Sequence, residues 1–176
     1  GSLKFIITSI GAFDTDILDK AFNTKDMING KSKIKSVLTY NATSGKLSSY
    51  ISSDLEGISI NMIKPFNKNS DEKANFVLNY QHYPEKKYPA LLTLNEHEIA
   101  IRGNDKYIYT SIKSPVVRGF LKIPFTDYNK AEANGSFEYI DTRYFESSGV
   151  AKSLPKVNIK SKHVRTSAVV LDNVHL

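Results

Sequence analysis

The chain has 176 residues, 40 % of them apolar, 24 Lys plus Arg against 18 Asp plus Glu for a formal charge of +6, and no Cys or Trp. The missing cysteine excludes a disulfide scaffold, a thiolate zinc site and a cysteine nucleophile, and leaves the compartment open. Apolar content lies below the roughly 45–50 % of a typical globular chain counted with glycine. Even so, 9 Phe, 10 Tyr and many β-branched residues are too much for a disordered chain, so one folded domain, or two small ones, is expected around a modest core.

A charge of +6 suits an anionic partner such as nucleic acid or lipid headgroups, and equally suits plain solubility. The longest apolar run is a few residues, against the roughly 18–20 that span a bilayer, and no charged segment followed by an apolar one opens the chain. As given, it reads as soluble. Gly1-Ser2 resembles the remnant of a cleaved expression tag, which would make residue 3 a cut into a longer protein.

In chain order, residues 3–29 read as a helical lead-in. Phe13, Ile17, Ala21 and Phe22 fall at helical spacing, Asp14 or Thr15 can cap, and Asn29-Gly30 reads as the stop, giving one helix of about three turns. Its stripe fits core packing better than membrane anchoring, because Asp14, Asp16 and Asp19 would repel anionic lipid. From Gly30 to Leu176 the period changes to two, the signature of strands. Ile34, Leu38 and Tyr40 share parity, then Ile58, Ile60 and Met62, then Phe76, Leu78 and Tyr80, then Leu92 with Leu94 and Ile99 with Ile101. The alternation continues through Ile108 and Ile112, Val117, Leu121 and Ile123, Phe137 and Tyr139, Val157 and Ile159, and finally Ala168, Val170, Val174 and Leu176.

The opposite parity is charged or hydroxylated at Lys33, Lys35 and Thr39, at Ser52, Asp54 and Glu56, at Arg118 and Lys122, and at Lys156 and Lys160, so each strand has a wet and a dry face. Turn residues fall at Asn41 to Gly45, Pro65 to Asp71, Pro84 to Pro89, Gly103 to Asp105, Pro124 to Asn129 and Asn134-Gly135, the last favouring a tight hairpin. Short spacings of this kind predict a mainly β fold, an antiparallel meander of about eight to ten strands with one short N-terminal helix. One helix cannot cover so many dry faces. A second sheet could, in a sandwich or jelly roll, or an apolar ligand could, in a groove.

Catalytic and metal motifs do not assemble. Gly30-Lys31-Ser32 lacks the earlier glycine of a phosphate loop, where Lys25 stands, and Ser44-Gly45-Lys46-Leu47 has Tyr40 in that place and Leu47 for the magnesium-binding hydroxyl. Glu96-His97-Glu98 sends its carboxylates to the face opposite the imidazole, and His82, His163 and His175 stand alone, so no metal is expected. No serine sits in a nucleophile elbow; Gly135 and Gly149 lack the flanking pattern. Asp54 and Glu56, about 7 Å apart by the strand rise, read as solvated acids. Basic residues alternate singly with acids and the tyrosines miss the spacing of an RNA-binding sheet, so nucleic acid is not expected as a partner. No enzyme and no cofactor is expected.

Three segments in order then resemble one family. Ser49 to Tyr80, SYISSDLEGISINMIKPFNKNSDEKANFVLNY, is similar to the recurring SDL-x-G-x-x-x-x-LP-x-PL-x-K segment of YhdP-type AsmA-like proteins. Ser114 to Phe145, with Val117-x-Gly119-x-Leu121-x-Ile123-Pro124, resembles that family's G-x-x-x-x-P strand and the hairpin after it. Leu154-Pro155-Lys156-Val157-x-Ile159 resembles its LP-x-L-x-I element, and the alternation from His163 to Leu176 fits the close. The likeness covers about Gly30 to Leu176 and departs at Ile63 and Asn67, where the family shows proline and glycine.

This resemblance implies a curved, taco-like sheet over residues 30–176, part of a longer protein held in the inner membrane by an N-terminal helix outside this stretch and lying in the Gram-negative periplasm. It further implies an apolar trough that moves phospholipid between the inner and outer membranes and supports the outer-membrane barrier. The partners expected are phospholipid acyl chains and the two membranes, and this stretch itself is expected to be monomeric. The inner-face, lipid-groove positions are then Ile58, Ile60, Met62, Phe76, Leu78, Val117, Leu121, Ile123, Val157 and Ile159. The alternative is a structural or adhesive β-sandwich without a ligand, in which the same residues are ordinary core.

Overall fold

The computed structural model describes residues 3–22, 26–62, 64–82, 89–124, 132–144 and 157–175, with the side chains of 21 and 22 left out. The alternating segments form β1 (Lys4–Asp14), β2 (Ile28–Asn41), β3 (Lys46–Ser53), β4 (Ile58–Ile60), β5 (Phe76–His82), β6 (Ala90–Leu94), β7 (His97–Gly103), β8 (Tyr107–Lys113), β9 (Val117–Pro124), β10 (Ala133–Asp141), β11 (Val157–Arg165) and β12 (Val170–His175). A short helix, α1 (Asp16–Phe22), follows β1. All the strands belong to one open, curved sheet in the order β1-β2-β3-β5-β6-β7-β8-β9-β10-β11-β12, with β4 branching from β2. The fold is mainly β, as the period-two pattern requires.

Register explains why one parity is dry. Residues directly opposite in neighbouring strands share a face, and one rung runs Ile51, Leu78, Leu92, Ile99, Ile112, Gly119 and Phe137 across seven strands. A neighbouring rung carries Tyr80, Ala90, Ile101, Thr110, Leu121, Gly135 and Ile159. Lys35, Ser52 and Val77 form part of the other face. We call the first face inner, because β4 and the segment around it fold over it.

Several sequence expectations change. The lead-in is mostly strand: residues 4–14 pair along their whole length with β2, and the helix is only the seven residues of α1. Phe13 lies in β1, so the helical spacing was shared between two elements, and Ile17 is 62 % exposed. Asn29-Gly30 does not stop a helix; it lies in β2 and pairs with β4. Gly30 is required there: its φ is +125°, and an added Cβ would stand 2.1 Å from the Gly57 carbonyl oxygen.

Asn134-Gly135 is likewise inside β10 and makes no hairpin turn. The Phe137 ring lies over Gly135 and Gly119, where added Cβ atoms would meet it at 2.6 and 2.5 Å. Phe137 and Tyr139 do not share a face, since a register shift between them sets Tyr139 opposite Arg118 and Ile140 opposite Val117. A bulge of this kind reverses parity within one strand. Among the described strand pairs β10–β11 alone is parallel; the long connection between Asp141 and Val157 permits it.

Ala168 falls in a turn, where the Thr166 hydroxyl accepts from its backbone N–H. The turns proposed at 84–89 and 124–129 lie partly, and Lys25, Ile63, Gly149, Leu154, Pro155, Lys156 and Leu176 wholly, outside the described residues. The sheet begins at Lys4, so the boundary expected between residues 29 and 30 does not separate two units.

Two groups of buried residues mark the inner face. Val116, Val117, Phe137, Ile140 and Val164 close the β9–β11 end. Leu55, Ile58, Ile60 and Ala74 lie beneath the β4 segment at the other end. Phe66 reaches both, packing on the first group and facing the cavity beside the second.

Candidate functional site

The Ser53-Asp54-Leu55-Glu56-Gly57 stretch turns the chain from β3 across the inner face. The Ser53 hydroxyl donates to the Lys33 carbonyl at 2.8 Å and accepts from the Leu55 N–H at 3.0 Å, and Asp54 Oδ1 accepts from the Glu56 N–H at 3.2 Å. Leu55 (φ +52°) and Gly57 (φ +92°) take left-handed conformations, which drives Leu55 and Ile58 inward. Gly57 touches β2 so closely that a Cβ would stand 2.2 Å from the Lys31 carbonyl oxygen.

β4 is then locked at both edges. It pairs with Ile28–Gly30 on one side, and on the other Ile60 and Lys68 exchange backbone hydrogen bonds of 2.8 and 2.9 Å. The Lys68 side chain is itself buried, donating from Nζ to the Ile58 carbonyl at 2.8 Å and the Asn69 carbonyl at 2.7 Å. Burial pulls its pKa below the usual lysine value.

Between this segment and the sheet lies a cavity of about 490 Å³. Ile58, Ile60, Met62 and Phe66 from the overlying segment face Ile51, Phe76, Leu78, Leu92, Leu94 and Ile99 from the sheet, with Phe13 and Leu18 at the β1–α1 corner. The lining presents no polar surface. Its size falls in the range of roughly 300–1,000 Å³ usual for small-molecule sites. A larger concavity of about 960 Å³ on the outer side includes Asn79, Gln81, Arg102 and Ser111 among its lining, and is shallower and mixed in polarity.

Five of the ten expected groove residues meet at the cavity: Ile58, Ile60, Met62, Phe76 and Leu78. The other five are not brought there. Val117 is sealed in the β9–β11 core, with Leu121 and Ile159 packed on its edge. Ile123 is half-buried on the Ile108 rung, and Val157 is 39 % exposed. Ile34, Leu92, Leu94 and Ile99, which also line the cavity, belong to the same alternation. Leu55 and Phe66 stand in a non-periodic segment, and the spacing of Phe13 is that of a helix.

His97 also lines the cavity. It is 4 % exposed, its ring centroid lies 4.9 Å from that of Phe66, and Nδ1 has no hydrogen-bond partner. Burial therefore holds its pKa below the ordinary histidine range. Asp54 and Glu56 lie in the turn and share Lys73, whose Nζ is 3.5 Å from Asp54 and 2.9 Å from Glu56. Among the described residues no group of three or more His, Asp or Glu is placed to hold a metal. No helix among them is long and apolar enough to cross a membrane.

A second polar feature was not legible in sequence. Asp141 is buried at the end of β10 and accepts from Arg143 Nε at 2.8 Å, Arg143 Nη2 at 2.6 Å and the Tyr139 hydroxyl at 2.9 Å. The Arg143 guanidinium holds the carboxyl well below the usual range. Every strong acceptor site is thus used internally, at a strand end that begins the crossover to the parallel β11. Compared with known proteins, the chain matches no family model, no curated protein and no solved structure.

Proposed function

We propose that this chain binds lipid acyl chains in the inner-face cavity and acts as a segment of an AsmA-like carrier that moves phospholipid between the inner and outer membranes of a Gram-negative envelope, from the periplasm. The observation carrying this reading is the cavity of about 490 Å³ lined by apolar side chains except for Thr15 and His97, set on a single sheet whose dry face extends on both sides of it. An acyl chain entering it gains about 25 cal/mol per Å² of apolar area removed from water. A polar headgroup would gain nothing from such a lining and would stay in solvent. The sheet binds and shields; no activated nucleophile is needed for that task. The order of the three family-like segments supports the envelope assignment, and an inner-membrane helix anchoring the carrier would lie outside these residues.

The test is native mass spectrometry of the protein purified from lipid-containing cells, followed by photocrosslinking. Co-purified phospholipid is expected. A crosslinker at Ile60 or Leu78, both lining the cavity, should label lipid, while one at Lys35 or Lys122, on the outer face, should not. A lipid-free protein with equal labelling from both faces would instead favour the ligand-free structural module.

A further inference from the structure

Among the described residues β1 pairs only with β2, so one whole side of this eleven-residue strand is an unpaired edge. Sheet edges are normally blunted by charge, proline or a bulge. Between Lys4 and Asp14 this one carries none of these. Phe5 and Ile7 on the inner face, and Ile6 and Ile10 on the outer face, are each more than half exposed.

The backbone decides which residues can pair across that edge. The Ala42 N–H donates to the Leu3 carbonyl and the Thr15 N–H to the Gly30 carbonyl, so odd-numbered residues turn their backbone groups toward β2. Even-numbered residues turn theirs outward. Two antiparallel copies of β1 must therefore join even positions to even positions. Centring the pair on Ser9 sets Lys4 against the partner's Asp14, Ile6 against the partner's Ala12 and Thr8 against the partner's Ile10 as hydrogen-bonded rungs. Phe5 then faces the partner's Phe13, and Ile7 faces the partner's Gly11.

The strand KFIITSIGAFD is self-complementary in this register: opposite charges meet at both ends and every residue is paired. Asp14 already lies 2.7 Å from Lys31, so each end becomes a row of cation, anion, cation. A Cβ built on Gly11 meets nothing within 4 Å, which leaves room beside it for the partner's Ile7. A shift by two residues separates Lys4 from the partner's Asp14 at both ends. Pairing with β12, the opposite edge, engages only six residues and generates an open chain of copies in place of a closed pair.

We propose that two copies of this chain associate through β1 about a two-fold axis at Ser9, joining their inner faces into one continuous surface. The partner's Phe5 then stands against Phe13, which lines the cavity, so each copy extends the other's apolar wall.

Sedimentation equilibrium of the lipid-free 176-residue chain should give twice the 19.7 kDa mass. Thr8→Pro removes an outward-facing N–H that β2 does not use, and should halve the mass with an unchanged circular dichroism spectrum. Ile6→Lys should act the same way through the exposed face. The chain has no cysteine of its own, and the close rung at the axis brings two Cα atoms to about 4.5 Å, within disulfide reach. Ser9→Cys should accordingly oxidise to a covalent dimer, and Val170→Cys should not. A monomer at micromolar concentration, a dimer insensitive to both edge variants, or a ladder of larger species cross-linked through Val170→Cys would overturn the proposal.

Discussion

Leu78 gives the sharpest test of the lipid reading. It stands in the middle of the rung from Ile51 to Leu92, and all three residues line the cavity. Leu78→Asp places a carboxylate where an acyl chain would cross. If that charge strips the contact from about three methylenes at about 0.8 kcal/mol each, binding weakens by about 2.4 kcal/mol. At 1.4 kcal/mol per decade this is roughly 50-fold. The neighbouring residue supplies the control: Val77 belongs to the opposite face of the same strand, opposite Ser52 and Thr93. Val77→Asp disturbs strand propensity and charge equally but leaves the cavity wall intact. Titration of purified, delipidated protein with a fluorescent fatty acid at neutral pH reads both variants, with thermal unfolding recorded in parallel. Leu78→Ala, which removes apolar area without adding charge, should give a smaller loss in the same direction. Folded Leu78→Asp protein that binds within about threefold of the parent, or an equal loss from Val77→Asp, would refute the assignment of the cavity as the acyl site.

Other consequences concern stability. Gly119→Ala should lower the urea midpoint by the equivalent of about 1–3 kcal/mol, because the new Cβ would lie 2.5 Å from Phe137 Cδ1 and 2.6 Å from the Ser136 carbonyl oxygen; Gly11→Ala, with nothing within 4 Å, should change it little. His97 is held neutral by burial, so the unfolded chain takes up its proton first as pH falls. Stability from this site is complete above the ordinary value of 6.5 and declines as pH drops through it toward the depressed folded value. Urea midpoints at pH 7.5 and 5.5 should therefore differ less in His97→Leu than in the parent, and an unchanged difference would contradict the buried, unpartnered imidazole. Asp141→Ala leaves the Arg143 and Tyr139 donors without their acceptor and should cost about 2 kcal/mol in chemical denaturation. With Asp141 intact, its contribution is present above the ordinary value of 3.8 and is lost as pH falls below it.

The mainly β architecture was legible because a residue's face in a strand depends only on parity. Ile58, Ile60, Phe76, Leu78, Leu92 and Ile99 announce a dry side before any partner strand is known. The same rule misled wherever two local signals overlapped. Phe13 and Ile17 have helical spacing, yet the tertiary pairing of residues 4–14 with β2 places the first in a strand and leaves the second on the surface. Asn134-Gly135 has turn chemistry, but the glycine serves the approach of Phe137. The bulge after Phe137 reverses a face that alternation alone assigns to Tyr139.

What the sequence by itself determined is the strand-rich fold and half of the cavity wall, since both follow from local periodicity. The rest of the site depended on tertiary structure. Leu55 and Phe66 reach the cavity only because Gly30 and Gly57 let β4 cross the inner face at backbone contact, while His97 faces it from β7, opposite Leu94. Val117, carrying an equally dry parity, is buried instead beneath Phe137 and Val164. Period two decides which side of a strand is apolar; only the path of the segment laid over that side decides where it stays open and where it closes.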